Sequence, residues 1–173
     1  MANTPIPIEA VNRMSRAEFV GAFGDVAEHS PWVAERAAAE RPFADRRAMA
    51  GAFLDAVLEA DAPTQLALIQ AHPDLAGRAA IAGELQPESR KEQVGAGLDK
   101  LTAAEFARFT DLNDAYKRKF GFPFILAVKG ADKDKILAAF AQRIDHDEEA
   151  ELATAIRQVC NIIGLRIEDR IAP

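Results

Sequence analysis

The chain has 173 residues, 49% of them hydrophobic, with one cysteine and three histidines, which suffices for one domain core without disulfides or a structural metal. Its formal net charge of -6 argues against sequence-independent binding to nucleic acid or to an anionic membrane, while a few local cations could still hold a small anion. Cys160 has no partner for an intramolecular disulfide and stands in an apolar helical pattern, which predicts a small buried hydrophobe in a reducing compartment.

Residues 1–10 carry neither the basic nor the apolar run of a secretion leader. After Pro5 and Pro7, Ser15 with Glu18 three residues on has capping-box spacing and opens a first helix bearing Phe19, Phe23 and Val26. Pro31 suits the first turn of a second, short helix that runs through Trp32 and Val33 to the alanine-rich segment before Pro42. Across residues 45–60, Met49, Phe53, Leu54, Val57 and Leu58 recur at helical spacing, and Pro63 with Thr64 restarts a helix through Leu66, Leu68 and Ile69. That helix must stop near Ala71, because Pro73 disfavours helical geometry at His72. His72 is therefore expected in a loop at a helix exit.

The segment PESRKEQVGAGL, residues 87–98, places Gly95 and Gly97 where a helix should pack. Glycine in a helix costs about 1 kcal/mol relative to alanine, which suggests close approach of another backbone or a ligand. Ser89 and Glu92 also have capping-box spacing, so a structural reading stands beside the functional one. Thr102 and Glu105 repeat that spacing ahead of one long helix marked by Phe106, Phe109, Leu112, Tyr116 and Phe120, which Gly121 can close. The only β-like run is FPFILAV, residues 122–128; it has no partner strand and is far too short to span a bilayer, so it reads as extended buried backbone. Two helices follow, over residues 133–144 and 147–170, the last with Leu152, Ile156, Val159, Ile163 and Ile167 on one stripe. The C-terminal Ile171, Ala172 and Pro173 are not a peroxisomal signal, so cytoplasm is the expected location. The fold class expected is all-α, a single compact multi-helix bundle over residues 1–173.

Of the three histidines, His29 and His146 look peripheral, whereas His72 sits between a helix end and a Pro-Asp-Leu loop. Imidazole is the side chain best suited to move a proton near neutral pH. Arg166 interrupts the apolar run Ile162, Ile163, Leu165 and Ile167. A guanidinium there needs an anion or a water-filled cleft; a ligand carboxylate and a salt bridge to an acid such as Glu92 or Glu105 both meet that need.

Four segments share a wider pattern: HPDL at residues 72–75, SRKEQVGAGLDKLT at 89–102, LNDAYKRKFGFPFILAVKG at 112–130, and IIGLR ending at Arg166. In this order and at these spacings, over most of the chain, they resemble the OHCU decarboxylase family (OHCU is 2-oxo-4-hydroxy-4-carboxy-5-ureidoimidazoline). The resemblance implies that His72 is the catalytic acid/base, that Glu92 and Arg166 complete the catalytic set, and that Pro73, Ser89, Arg90, Lys91, Glu92 and Gln93 line the substrate. It further implies backbone contacts from the FPFI segment, at Phe124, Ile125, Leu126, Ala127 and Val128, to a small ureido-imidazoline carboxylate, and a homodimer. One departure is His146, within RIDHDEEAE, where related sequences are expected to carry asparagine.

The implied reaction yields (S)-allantoin. The carbon that loses CO2 carries a hydroxyl and a carboxylate beside a ring C=N, so the ring can take the electron pair, and no pyridoxal lysine, thiamine site or metal is required. The protein must supply orientation and a proton on one face, expected from His72, with Glu92 orienting the substrate or tuning His72 and Arg166 holding the anionic end. Two other readings stand beside this one. A metal-dependent hydrolase would use His72, Asp74 and Glu92, a poor transition-metal set with irregular spacing. A non-enzymatic helical binding module would keep Phe124 and Ile125 as plain core.

Overall fold

The computed structural model describes residues 4–173; the first three, part of the stretch read above as leader-free, lie outside the described residues. Among the described residues there are ten α-helices, two short 3-10 turns and no strand, only a parallel bridge between Ile6 and Ile171. The all-α class is thus as the sequence indicates. No helix among the described residues is long and apolar enough to cross a membrane. The backbone divides into two compact units, one formed by the described residues up to Ala71 with Val159–Pro173, the other by His72–Gln158.

The first unit contains α1 (Ile8–Arg13), α2 (Arg16–Phe23), α3 (Trp32–Ala37), α4 (Arg46–Leu58) and α5 (Ala62–Gln70). The sequence did not announce α1, whose only buried residue is Val11, so no apolar stripe marks it. The α2 start is the expected capping box: the Ser15 hydroxyl accepts the Glu18 N–H, and the Glu18 carboxylate accepts the Ser15 N–H at 2.7 Å. Those bonds hold the Glu18 carboxyl below its ordinary range. Asp45 and Asp61 cap α4 and α5 by accepting the N–H groups of Ala48 and Thr64. Val26 lies past the end of α2 yet is fully buried, and Leu58, expected on the α4 stripe, faces solvent. The core gathers around Phe19, whose ring centroid is 5.0 Å from that of Phe23 and 6.0 Å from those of Phe43 and Phe53. Burying a phenylalanine side chain stabilises by about 1.5–3 kcal/mol, so this cluster anchors the unit.

The second unit contains α6 (Arg78–Ala82), α7 (Pro87–Gly95), α8 (Ala103–Phe120), α9 (Lys133–Arg143) and the first part of α10 (Glu148–Arg170), whose residues from Val159 onward belong to the first unit. Two expectations are corrected in α7. Pro87 occupies its first turn and Gln86 its N-cap position, so Ser89 lies inside the helix and does not cap it. Nor does another part of the protein crowd the glycines: a Cβ on Gly95 or Gly97 would meet no protein atom within 4 Å. Gly97 is there for its left-handed φ of 75°, which turns the chain into the 3-10 segment Leu98–Lys100.

The start of α8 is the expected Thr102/Glu105 capping box, and Gly121 closes it at φ 76°. Residues 122–128 then run without regular structure, and Phe122, Phe124, Ile125 and Val128 are buried. Tyr116 meets Phe124 and Phe140 edge-on at 5.3 and 6.2 Å, and Phe124 stacks on Phe140 at 3.7 Å. On α10, Val159, Ile163 and Ile167 are buried as expected, while Leu152 and Ile156 are half-buried. Cys160 is a buried free thiol whose pKa burial pushes up, which keeps it protonated and unreactive.

Candidate functional site

The α5 helix ends at Gln70, as Pro73 requires, and His72 begins the loop to α6, where its side chain is buried at 8% exposure. Three consecutive residues of that loop are held from two helices. Gln93 on α7 accepts the Ala76 N–H through Oε1 at 2.9 Å and donates through Nε2 to the Asp74 carbonyl at 3.2 Å. Asn113 on α8 donates through Nδ2 to the intervening Leu75 carbonyl at 2.8 Å, and both groups are buried. Lys117, one helical turn further along α8, pairs with the Asp74 carboxylate at 2.6 Å. The held backbone is unusual: Ala76 has a left-handed φ of 52°, and a Cβ on Gly77 would come within 2.6 Å of the Asp74 Cβ. Only glycine fits at Gly77, and the loop conformation depends on outside bonds.

On α7, Ser89, Glu92, Gln93 and Ala96 share one face by helical spacing; Ser89 and Gln93 are buried and Glu92 is half-buried. Arg90 and Lys91 point elsewhere. Both are exposed, and Arg90 donates at 2.5 Å to the Gly83 carbonyl that ends α6. A cleft of about 440 Å³ runs along α7 and α8, lined by Ile81, Leu85, Arg90, Gln93, Val94 and Phe106 among others; His72 and Glu92 do not line it.

The segment at residues 122–128 is fixed by side chains the sequence did not single out. Arg143 on α9 donates through Nη1 to the Ile125 carbonyl at 2.6 Å, and its guanidinium lies 4.3 Å from the Phe124 ring centroid. The same guanidinium pairs with the fully buried Glu151 carboxylate on α10 at 2.8 Å from Nε and 2.5 Å from Nη2. Tyr116 donates to the same carboxylate oxygen, Oε1. Burial, and next the bond to Glu151, push the Tyr116 hydroxyl far above its ordinary pKa, so it remains a donor. Gln158 accepts the Ala127 N–H at 2.9 Å. The expected backbone contacts at Ile125 and Ala127 are therefore partly engaged within the protein. Leu126 and Ala127 are the half-buried residues of the segment.

His146 is not peripheral, which corrects the sequence reading: its Nδ1 lies 2.8 Å from Glu151 Oε2. His29 is exposed, as expected. A signal for this network was present, since Arg143 follows Ile136 and Phe140, and Glu151 precedes Ala155 and Val159, at core spacing. It was the same signal that made Arg166 conspicuous.

Arg166 lies in the first unit and is buried, with Nη1 3.2 Å from both the Val26 carbonyl and the Glu28 carboxylate. Glu28 is an acid beside it, whereas Glu105 pairs with Lys133. Arg170, one turn on, holds Asp25 at 2.5 and 3.0 Å. Among the described residues no three His, Cys, Asp or Glu side chains converge as metal ligands, and the Asp74 carboxylate is taken by Lys117.

Comparison with known proteins gives a consistent result. A family model described as OHCU decarboxylase matches residues 12–168. The chain is 42% identical to a 2-oxo-4-hydroxy-4-carboxy-5-ureidoimidazoline decarboxylase of Haloferax volcanii over 96% of this chain and 97% of that protein. It is also 42% identical to a protein of the same name from Halalkalicoccus jeotgali, over 98% of this chain and 94% of the other. Among solved structures, an (S)-allantoin synthase superposes with a TM-score of 0.78 at 31% identity, covering 97% of this chain and 54% of that one, so this chain spans about half of its length.

Proposed function

The chain belongs to the OHCU decarboxylase family, and from that membership we propose how its residues carry out the reaction and where. The chain is a carboxy-lyase that decarboxylates OHCU in urate degradation to give allantoin, and the observation that carries this is the family match across residues 12–168. That match also takes in parts of both compact units, which supports residues 1–173 acting as one OHCU decarboxylase-like domain. It sets aside the binding-module and metal-hydrolase readings.

Loss of CO2 leaves an electron pair that forms a C=C bond to the ureido-bearing carbon while the ring C=N pair passes to its nitrogen, which takes a proton from water, giving an enol. Protonation of the ureido-bearing carbon and loss of the enol proton then give the ketone, allantoin. His72 carries the proton from the hydroxyl to that carbon, and delivery to one face gives the (S) product. Its burial favours this role, because a nearly dry imidazole exchanges protons with substrate in preference to bulk water. Glu92, half-buried on the α7 face that bears Ser89 and Gln93, orients the substrate or tunes His72. Arg166 carries the charge for the anionic end, with Glu28 fixing its guanidinium. Substrate contacts fall to Pro73, to the α7 segment of Ser89, Arg90, Lys91, Glu92 and Gln93, and to the backbone of Phe124, Ile125, Leu126, Ala127 and Val128. The exposure of Arg90 and Lys91 makes them the outermost of these.

The test is the decay of freshly generated OHCU, followed by ultraviolet absorbance with and without the protein. Wild type accelerates the decay, and His72→Asn, folded by circular dichroism, is slower by at least about a hundredfold, as loss of a general acid–base group entails. Near-normal turnover by a folded His72→Asn would remove His72 from the chemistry.

The functional form is a homodimer in the cytoplasm. The exposed Ile81 and Val94, both on the 440 Å³ cleft, support an apolar contact there. Light scattering at micromolar concentration should return twice the 18.8 kDa chain mass, and a monomer would exclude the dimer; cell fractionation tests the location.

A further inference from the structure

We propose that Gln93 and Asn113 are positioning residues that clamp the 74–76 backbone and so set where the His72 imidazole stands; this rests on the reading of His72 as the acid/base.

The loop cannot hold itself. Ala76 sits in the left-handed region at φ 52°, a conformation that an L-residue with a Cβ occupies at a cost of about 1–2 kcal/mol. It is followed by Gly77, whose closeness to Asp74 admits no side chain. A strained loop of this kind persists only where its surroundings over-determine it. The surroundings are two side-chain amides that reach two successive peptide groups: Gln93 takes the Ala76 N–H and the Asp74 carbonyl, and Asn113 takes the Leu75 carbonyl.

The Gln93 amide has a second N–H beyond the one it gives the loop, so the clamp and the substrate contact proposed for this residue coexist. Its carbonyl and its NH2 are both engaged with the loop, at 2.9 and 3.2 Å, and the residue is buried at 5% exposure. A group so engaged acts on the chemistry through the backbone it holds as well as through any direct contact. Asn113 makes the same point from α8. Its Oδ1 is buried with no hydrogen-bond partner among the described residues, a cost that a leucine of similar size would not carry. What leucine lacks is the donor for the Leu75 carbonyl. The Lys117–Asp74 pair adds a third, partly exposed tie. Ala76 lies four residues beyond His72, so these ties limit how far the start of the loop can shift while leaving the imidazole itself able to exchange protons.

The experiment measures kcat and KM for OHCU decarboxylation with Gln93→Leu, Gln93→Glu and Asn113→Leu, each also built on His72→Asn, with helix content checked by circular dichroism. Gln93→Leu and Asn113→Leu should each lower kcat by about 10- to 100-fold, the loss that a displacement of roughly 1 Å brings, with KM within about twofold for Asn113→Leu, which removes no proposed substrate contact. On the His72→Asn background Asn113→Leu should not lower the residual rate further, because a clamp has no imidazole left to position. Gln93→Glu keeps the acceptor for the Ala76 N–H and should recover part of the loss. A raised KM with unchanged kcat would leave Gln93 a substrate contact alone, and losses of Asn113→Leu that multiply with His72→Asn would make the role general to the fold; either result overturns the clamp. If the leucine variants do not fold, Gln93→Glu and the part-exposed Lys117→Met carry the same kcat and non-additivity test. Normal turnover in Gln93→Leu beside a dead His72→Asn overturns the clamp alone, whereas normal turnover in His72→Asn overturns the acid–base reading and the clamp with it.

Discussion

Arg143→Met is the substitution whose cost follows most directly from the structure. The guanidinium is nearly buried, and every contact described for it lies in the second unit: two donors to Glu151, one to the Ile125 carbonyl, and the Phe124 ring face. Methionine fills much of the space but strands the carboxylate of Glu151, which has 0% exposure and keeps only Tyr116 and His146 as partners. Removing one member of a buried ion pair costs about 3–5 kcal/mol, chiefly through the charge left behind. For a chain of this length each kcal/mol lowers the melting temperature by about 2–4 °C, so the expected fall is about 6–20 °C. Thermal unfolding followed at 222 nm measures it. The double variant Arg143→Met/Glu151→Met removes both charges and should melt above the single one, because an ion pair replaced by apolar side chains of similar volume is often near neutral. A single variant within about 2 °C of wild type, or a double variant worse than the single, would refute the claim that these charges depend on each other.

Three further outcomes follow from the same geometry. Arg166→Met removes a charge partner of the buried Glu28 carboxylate, so it should destabilise the fold by about 3–5 kcal/mol in urea as well as slow turnover; an inactive variant with unchanged urea midpoint would mean that Arg166 serves the substrate alone. Thr102→Ala removes the hydroxyl that accepts the Glu105 N–H at the start of α8, and should cost about 1 kcal/mol with little effect on kcat; an unchanged urea midpoint would count against that cap. For Asp25, burial pushes the carboxyl up, but the hydrogen bond and charge of Arg170 more than offset this and hold its pKa below the ordinary value. A depressed carboxylate stabilises fully above its unfolded pKa and loses that contribution as pH falls through the ordinary carboxylate range toward the folded value. Urea midpoints taken down that range should therefore fall less steeply in Arg170→Met than in wild type, and parallel curves would contradict the assignment.

Local chemistry explains which parts of the molecule could be read in advance. Ser15 and Thr102 announce α2 and α8 because a capping box is a contact between residues three apart, fully written in the local sequence. Pro73 likewise fixes where α5 ends and so puts His72 in a loop. The short helices α1 and α6 bury one residue and none, so they leave no periodic trace. Ser89 misled because Pro87 is an equally good start signal two residues earlier, and the N1 proline prevailed. The glycines of the 95–97 turn suggested a close approach, but the left-handed φ of Gly97 is reason enough for it.

The ties around the site were harder to see because they are long-range. Gln93 to residues 74–76, Asn113 to Leu75 and Arg143 to Ile125 join positions 17 to 38 residues apart, and no periodicity within one element encodes such a pairing. The motif resemblance marked Gln93 and Ile125 as substrate-facing; the hydrogen bonds add that the protein itself engages part of each. His146 shows the limit of reading by position alone, since it stands in an exposed turn yet reaches the most buried carboxylate of the second unit.

The central claim is that this chain decarboxylates OHCU with one-sided proton delivery by His72. The most direct measurement generates OHCU from urate in the cuvette with urate oxidase and hydroxyisourate hydrolase, adds this protein, and follows allantoin by circular dichroism. The account predicts rapid growth of a single-enantiomer (S)-allantoin signal with wild type and slow, racemic, signal-free decay with His72→Asn. A racemic product from wild type would contradict one-sided delivery, and a wild-type rate no faster than spontaneous decay would contradict the activity itself.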